Sequence, residues 1–143
     1  MSKDYDLNRF VEAQEASYQQ ALREIKQGEK QTHWIWYIFP QLKGFGFSYN
    51  SEYYGIADAN EAQAYLAHPV LGARLREITE VLINLSEKAP ALSPDVIFGS
   101  LDAMKVKSCM TLFEQVSHEA IFGQVLDRMY GGQRDKATLA KLA

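Results

Sequence analysis

Asp102, Lys105, Ser108 and Thr111 recur at every third residue, a spacing that lays them along one face of an α-helix. An ammonium beside two hydroxyls is a receptor for phosphate or carboxylate. The helix that carries them is apolar on most sides, and a lysine drawn into such a setting needs a partner, because an isolated charge in a low-dielectric interior is costly. The commoner arrangement for these residue types is an Asp102–Lys105 pair at the solvent edge of the helix. A second group with chemical potential is Thr32-His33-Trp34-Ile35-Trp36-Tyr37-Ile38-Phe39-Pro40-Gln41, which holds both tryptophans of the chain. His33 is the candidate acid or base near neutral pH. Trp34 or Trp36 offers a flat stacking surface, and Gln41 offers a directional amide. A lone histidine more often satisfies a backbone group or caps a helix, and that reading stands beside the catalytic one.

Other groups carry weaker signals. His68 precedes Pro69 at a helix junction, where capping explains it. His118 ends a helix, where a partly positive imidazole suits the negative end of the dipole. The three histidines have neither close spacing nor a cysteine pair, so the chain shows no transition-metal signature. The single Cys109 lies among apolar residues and reads as core. Lys43-Gly44-Phe45-Gly46-Phe47-Ser48 fits neither a Walker loop nor a dinucleotide fingerprint. It leaves a short loop whose Ser48 hydroxyl and amides can close over a ligand. Asp127 and Asp135 flank Gly131-Gly132; Asp135 is explained as a helix cap and Asp127 as surface.

The elements that position these groups read as helices. The first runs from about Leu7 to Gln27, with Asp6 as N-cap and Gly28 as a left-handed stop. The tryptophan segment has strand-like composition but no partner strand, so it is taken as a short buried helix ending at Pro40. Residues 41–55 form an aromatic, glycine-punctuated loop. Asp58-Ala59-Asn60-Glu61 is a capping box for a helix through His68, and Pro69 opens the next. There Leu71, Leu75, Ile78, Leu82 and Leu85 make an apolar stripe. Ser93-Pro94 starts a short turn closed by Gly99. Ser100 caps the helix from Leu101 to Ser117, where Met104, Val106, Cys109, Met110, Leu112 and Phe113 predict a central position. Two further helices follow, Glu119 to Tyr130 and one capped by Asp135. The expectation is an all-α, compact single-domain bundle of six or seven helices.

The totals agree with one domain. Hydrophobic residues make up 47% and charged residues 23%, a globular balance. A net charge of -3 and a pI near 5.6 leave no basic footprint for bulk nucleic acid. No apolar run approaches the length of a membrane span, the opening Met1 to Asp6 is too polar for a signal peptide, and one cysteine makes no internal disulfide. A cytoplasmic protein is expected. Nothing in the composition sets its oligomeric state.

The segments His33 to Gln41, Tyr54-Gly55-Ile56, His68-Pro69-Val70-Leu71-Gly72, Ile97-Phe98-Gly99, Lys105 to Phe113 and Val125-Leu126-Asp127 closely resemble a mostly bacterial domain-of-unknown-function family. Some of its members carry the label "calpastatin", which suits long disordered inhibitory repeats and not a compact chain. The resemblance spans nearly the whole sequence. It implies a compact all-α domain and supplies no activity. Positions matching the family pattern include His33, Trp34, Trp36, Pro40, Gln41, Ser48, Tyr54, Gly55, His68, Pro69, Lys105, Ser108 and Thr111. Several are polar, which packing alone does not demand. The chain departs at Ser100-Leu101-Asp102-Ala103-Met104, where a Pro-Asp-Asp-Leu type of helix opening is expected, and this bears on Asp102 alone.

Taken together, the residues predict a small-ligand domain. His33 is the catalytic candidate. Trp34, Trp36, Gln41, Ser48, Tyr54, Lys105, Ser108 and Thr111 are the binding candidates for a small anionic or nucleotide-like ligand, with no cofactor and no metal. The rival expectation is a protein-interaction module built on the aromatic loop from Phe45 to Tyr54.

Overall fold

Tyr18, Ala21, Leu22 and Ile25 are spaced for a helix, and all four are buried along α1 (Asn8–Gln27). The structure is a computed structural model, and the described residues are 5–143. The polar opening at residues 1–4 therefore lies outside them. Gly28 ends α1 at φ +85°, its N–H bonding to the carbonyls of Glu24 and Ile25. The start differs from expectation. Leu7 holds the cap position without a side-chain bond, and the Asp6 carbonyl accepts from the Arg9 guanidinium instead.

The tryptophan segment is indeed a short helix, α2 (Ile35–Ile38), with Trp34, Ile35, Ile38 and Phe39 buried. The following segment is not all loop. It contains α3 (Tyr49–Tyr53), capped by the Ser48 hydroxyl, which accepts the Ser51 N–H at 3.2 Å. An isolated parallel bridge between Leu42 and Ile56 closes the segment at its base. Asp58 caps α4 (Ala59–Ala67) by accepting the Glu61 N–H at 2.9 Å. The Glu61 carboxylate reaches back to the N–H of Ala57, one residue further than an ordinary capping box.

The His68 imidazole does cap. Its Nδ1 accepts the N–H groups of Val70 and Leu71 at 3.1 and 3.2 Å, at the entry to α5 (Leu71–Lys88). Ser93 caps α6 (Pro94–Phe98). Gly99, at φ +81°, then turns the chain into α7 (Ser100–Ser117). Ser100 is the first residue of α7 and not its side-chain cap, because Gly99 occupies that position. His118 ends α7 in the left-handed conformation at φ 59°, and α8 (Ala120–Met129) and α9 (Lys136–Leu142) complete the chain.

Among the described residues there are nine helices and no strand; six of the helices have seven residues or more. The fold is an all-α helical bundle, and the expected count is exceeded only through one-turn helices. α7 is central, packed against α2, α4, α6, α8 and α9, while α5 bridges α1, α4 and α8. Rings line the middle of the core: Phe10 meets Tyr65 edge-on, Tyr65 meets Phe113, and Phe113 meets Phe122. Met104 departs from its assignment to the core. It is 65% exposed, on the side of α7 left uncovered. Among the described residues no helix is long and apolar enough to cross a membrane.

Candidate functional site

Leu101, Met104, Lys105 and Ser108 follow the i, i+3, i+4, i+7 rule, so they form one stripe along the first half of α7. This stripe is the floor of a cleft of about 330 Å³. Gln41 and Phe45, from the segment after α2, form one wall. Asp135 and Ala137, at the start of α9, form the other. One part of the lining is apolar (Phe45, Leu101, Met104) and the rest carries an amide, an ammonium, a hydroxyl and a carboxylate.

The charges at the Lys105 end do not balance. Asp102 accepts from Lys105 at 3.0 Å and from Lys30 at 2.9 Å. Two ammonium groups thus share one carboxylate, leaving one positive charge unmatched. Burial alone would raise the Asp102 carboxyl, but its hydrogen bonds to Lys30 and Lys105 outweigh this and hold it below the usual carboxylate range. Each lysine also covers a tryptophan: Lys105 Nζ lies 4.5 Å from the Trp36 ring centroid and Lys30 Nζ lies 5.2 Å from that of Trp34. The expected Asp102–Lys105 pair and the expected cation facing a pocket are therefore the same group of atoms.

One turn along α7, beside Ser108, Asp135 is fixed by three donors on one oxygen. Its Oδ2 accepts from Ser108 Oγ at 3.1 Å, Thr138 N–H at 3.0 Å and Thr138 Oγ1 at 2.6 Å. Its Oδ1 accepts no hydrogen bond among the described residues, and neither does the Gln41 side-chain amide make one. Thr111 lies one turn further along α7, fully buried. Its hydroxyl donates to the Lys107 carbonyl at 2.8 Å and accepts the Asp135 N–H at 3.0 Å. Thr111 therefore anchors α9 to α7 and does not line the cleft.

The structure thus brings Gln41, Lys105 and Ser108 to one cleft, with Trp36 beneath the Lys105 ammonium. The other candidates stand elsewhere. Trp34 is 1% exposed, so it presents no stacking face; its Nε1–H donates to Glu24 at 2.9 Å. His33 is exposed and its imidazole makes no hydrogen bond among the described residues, while its carbonyl accepts the Tyr37 hydroxyl. Ser48 is spent on capping α3. The Tyr54 ring packs between Phe10, Tyr37 and Tyr53, away from the lining.

Sequence reasoning passed over the buried carboxylate of Glu24 and read that of Glu61 only as part of a capping box. Glu24, 1% exposed, accepts from Gln31 N–H, Thr32 N–H, Thr32 Oγ1, Trp34 Nε1 and Gln20 Nε2 at 2.6–3.0 Å. Burial raises its carboxyl, but the bonds from Thr32, Gln31 and Gln20 prevail and bring it down to about 2. Glu61, 3% exposed, pairs with Arg9 at 2.9 Å, and Arg9 also donates to the carbonyls of Tyr53 and Gly55. The signal for Glu24 was a lone acid on the border of an apolar stripe, near a helix end where the dipole disfavours it. These two sites hold segments 29–34 and 53–57 in place and so set the position of Gln41. Asp135 was read only as a cap, Phe45 only as part of the ligand-closing and interaction loop, Met104 only as core, and Leu101 was assigned no site.

Residues 4–142 match the family model described as "Protein of unknown function (DUF1810)". The fold is similar to the crystal structure of the conserved hypothetical protein Rv1873 from Mycobacterium tuberculosis. The two share 41% identity over 96% of each chain, with a TM-score of 0.91. No curated relative matches the chain.

Proposed function

This chain belongs to the DUF1810 family, whose description carries no activity to transfer, and we propose from its own geometry that it binds a small anionic metabolite in the cleft between α7, α9 and the segment after α2. The observation that carries this reading is the shared carboxylate: Lys30 and Lys105 both pair with Asp102, and their surplus charge borders the cleft. The volume, about 330 Å³, lies at the lower end of small-ligand sites. Lys105 holds the acid group, and the Gln41 amide supplies direction. Phe45, Leu101 and Met104 cover the apolar or planar part, the role first given to Trp34 or Trp36. A nucleotide-like ligand suits this division of labour. Binding leads the reading and catalysis follows it, because His33 is not among the lining residues. A bacterial setting belongs to the same proposal, supported by the similar mycobacterial protein, and so does a cytoplasmic one, supported by a single cysteine held as a free thiol.

The test is thermal shift with nucleotides, ADP-ribose-like compounds and small phosphorylated or carboxylated metabolites, on wild type and Lys105→Met. Methionine keeps the aliphatic stem against Trp36 and removes the charge. A ligand class that raises the melting temperature of wild type and not of the variant supports the proposal. A shift equal in both proteins sinks the role of Lys105.

One observation favours a second reading, protein association through the aromatic segment. Phe47 is fully exposed, Tyr49 is 74% exposed, and Tyr49 stacks on Tyr53 with ring centroids 5.4 Å apart. On that reading, Phe47→Ser with Tyr49→Ser removes association with a partner and leaves the cleft's ligand binding intact.

A further inference from the structure

Lys105 and Ser108, the residue that binds Asp135, stand one turn apart on α7, so the cleft brings both signs of charge close together, and this narrows the class of ligand. The Lys30–Asp102–Lys105 cluster leaves a surplus cation among the described residues. Asp135 brings a carboxylate to the neighbouring turn, with Oδ2 bound by Ser108 and Thr138 and Oδ1 accepting nothing among the described residues. Lys107, Arg134 and Lys136 border Asp135 from a separate cleft beyond the start of α9, and none of them lines this one. Of these, Arg134 is already paired with Glu114 and Asp127, Lys107 donates to the neutral Gln133 amide, and none of the three pairs with Asp135 among the described residues. A simple anion held at Lys105 would meet repulsion from Asp135.

We infer that the ligand is a zwitterion, with its acid group at Lys105, a protonated primary amine at Asp135 Oδ1, and an apolar body over Phe45, Leu101 and Met104. This rests on the reading of the cleft as a ligand site and adds the amine. The single open oxygen selects a point donor such as an ammonium over a planar pair of donors, which needs both oxygens of a carboxylate. Asp135 is held before any ligand arrives, since three donors fix its other oxygen, so binding costs little ordering at that end. Amino acids with apolar side chains and their short conjugates have this distribution of charge.

The probes are phenylalanine, 3-phenylpropanoate and 2-phenylethylamine, which share one apolar body and differ by a single charged group. Each is titrated into the 15N-labelled full chain, and the amide resonances of residues 101–108 and 135–138 are followed. Phenylalanine binds more tightly than either singly charged probe by about fivefold, the worth of one further exposed charge pair. Asp135→Asn keeps an N-cap of similar strength on α9 but removes the carboxylate, and it reduces phenylalanine to the level of 3-phenylpropanoate. Equal affinity of phenylalanine and 3-phenylpropanoate for wild type overturns the zwitterion and leaves the anion site standing. If no probe moves these resonances, and the phosphorylated and carboxylated panel gives no thermal shift, the ligand-site reading falls as well.

Discussion

Replacing Glu24 by glutamine tests how the tryptophan segment is held. The carboxylate receives five hydrogen bonds and is 1% exposed, and among the described residues no cation pairs with it, so its charge is stabilised by these donors. Its carboxyl falls from an ordinary 4.5 to about 2 in the folded chain. A tenfold change in proton affinity is worth about 1.4 kcal/mol, so ionised Glu24 stabilises the fold by roughly 3 kcal/mol at neutral pH. The sign follows from the depressed value. The contribution is complete above the unfolded carboxyl's pKa and declines as pH falls toward the folded one, so that somewhat less than half remains at about pH 3. Glutamine keeps one acceptor for Gln31, Thr32 and Trp34 but turns a donor toward Gln20 and Thr32, so about 2–3 kcal/mol should be lost at pH 7. Urea unfolding followed by tryptophan emission measures this at pH 7 and again near pH 3. The gap between the two proteins should narrow in acid. A gap that stays constant with pH, or a loss below about 1 kcal/mol at pH 7, would refute the argument that donors stabilise the charge.

Two glycines should respond differently to alanine. At Gly72 the added carbon would stand 2.1 Å from the Leu66 carbonyl oxygen, a backbone atom that cannot withdraw, so Gly72→Ala should cost about 3 kcal/mol in thermal or urea unfolding. At Gly123 it meets the Glu114 carboxylate at 2.3 Å and Arg134 beyond it. A flexible side chain can swing away there, so the loss should stay near 1 kcal/mol and appear with a broken Glu114–Arg134 pair in a crystal structure. Cys109 is fully buried, and burial pushes its thiol up. It should therefore react with an aromatic disulfide reagent only in denaturant, and rapid labelling of the native protein would contradict its placement.

The long helices were legible because their apolar residues repeat at helical spacing over several turns. Tyr18, Leu22 and Ile25 in α1, and Leu71, Leu75, Ile78 and Leu82 in α5, are buried as that spacing requires. Caps formed by short side chains were legible where nothing competed, as at Asp58 and Asp135. Asp6 and Ser100 failed as caps for a common reason: the helix begins one residue away from the boundary that the cap residue suggested. α3 was hidden because five residues of tyrosine, asparagine, serine and glutamate carry no apolar period. At the candidate site, the α7 face was legible from spacing on one helix. The contributions of Lys30 and Asp135 were not, because each reaches α7 from far along the chain. Trp34 and Trp36 looked alike in sequence, and only the tertiary fold buries one and leaves the other half-buried.

That difference makes the two indoles unequal as optical reporters. Trp34 is enclosed, with its N–H fixed on a carboxylate, so its emission marks the integrity of the core. Trp36 lies under an ammonium that borders the cleft, so its emission responds to whatever draws Lys105 off the ring. A Trp36→Phe variant separates the two signals. Occupancy of the cleft then reads out as the part of the fluorescence change that this variant loses, with no dye attached to the protein.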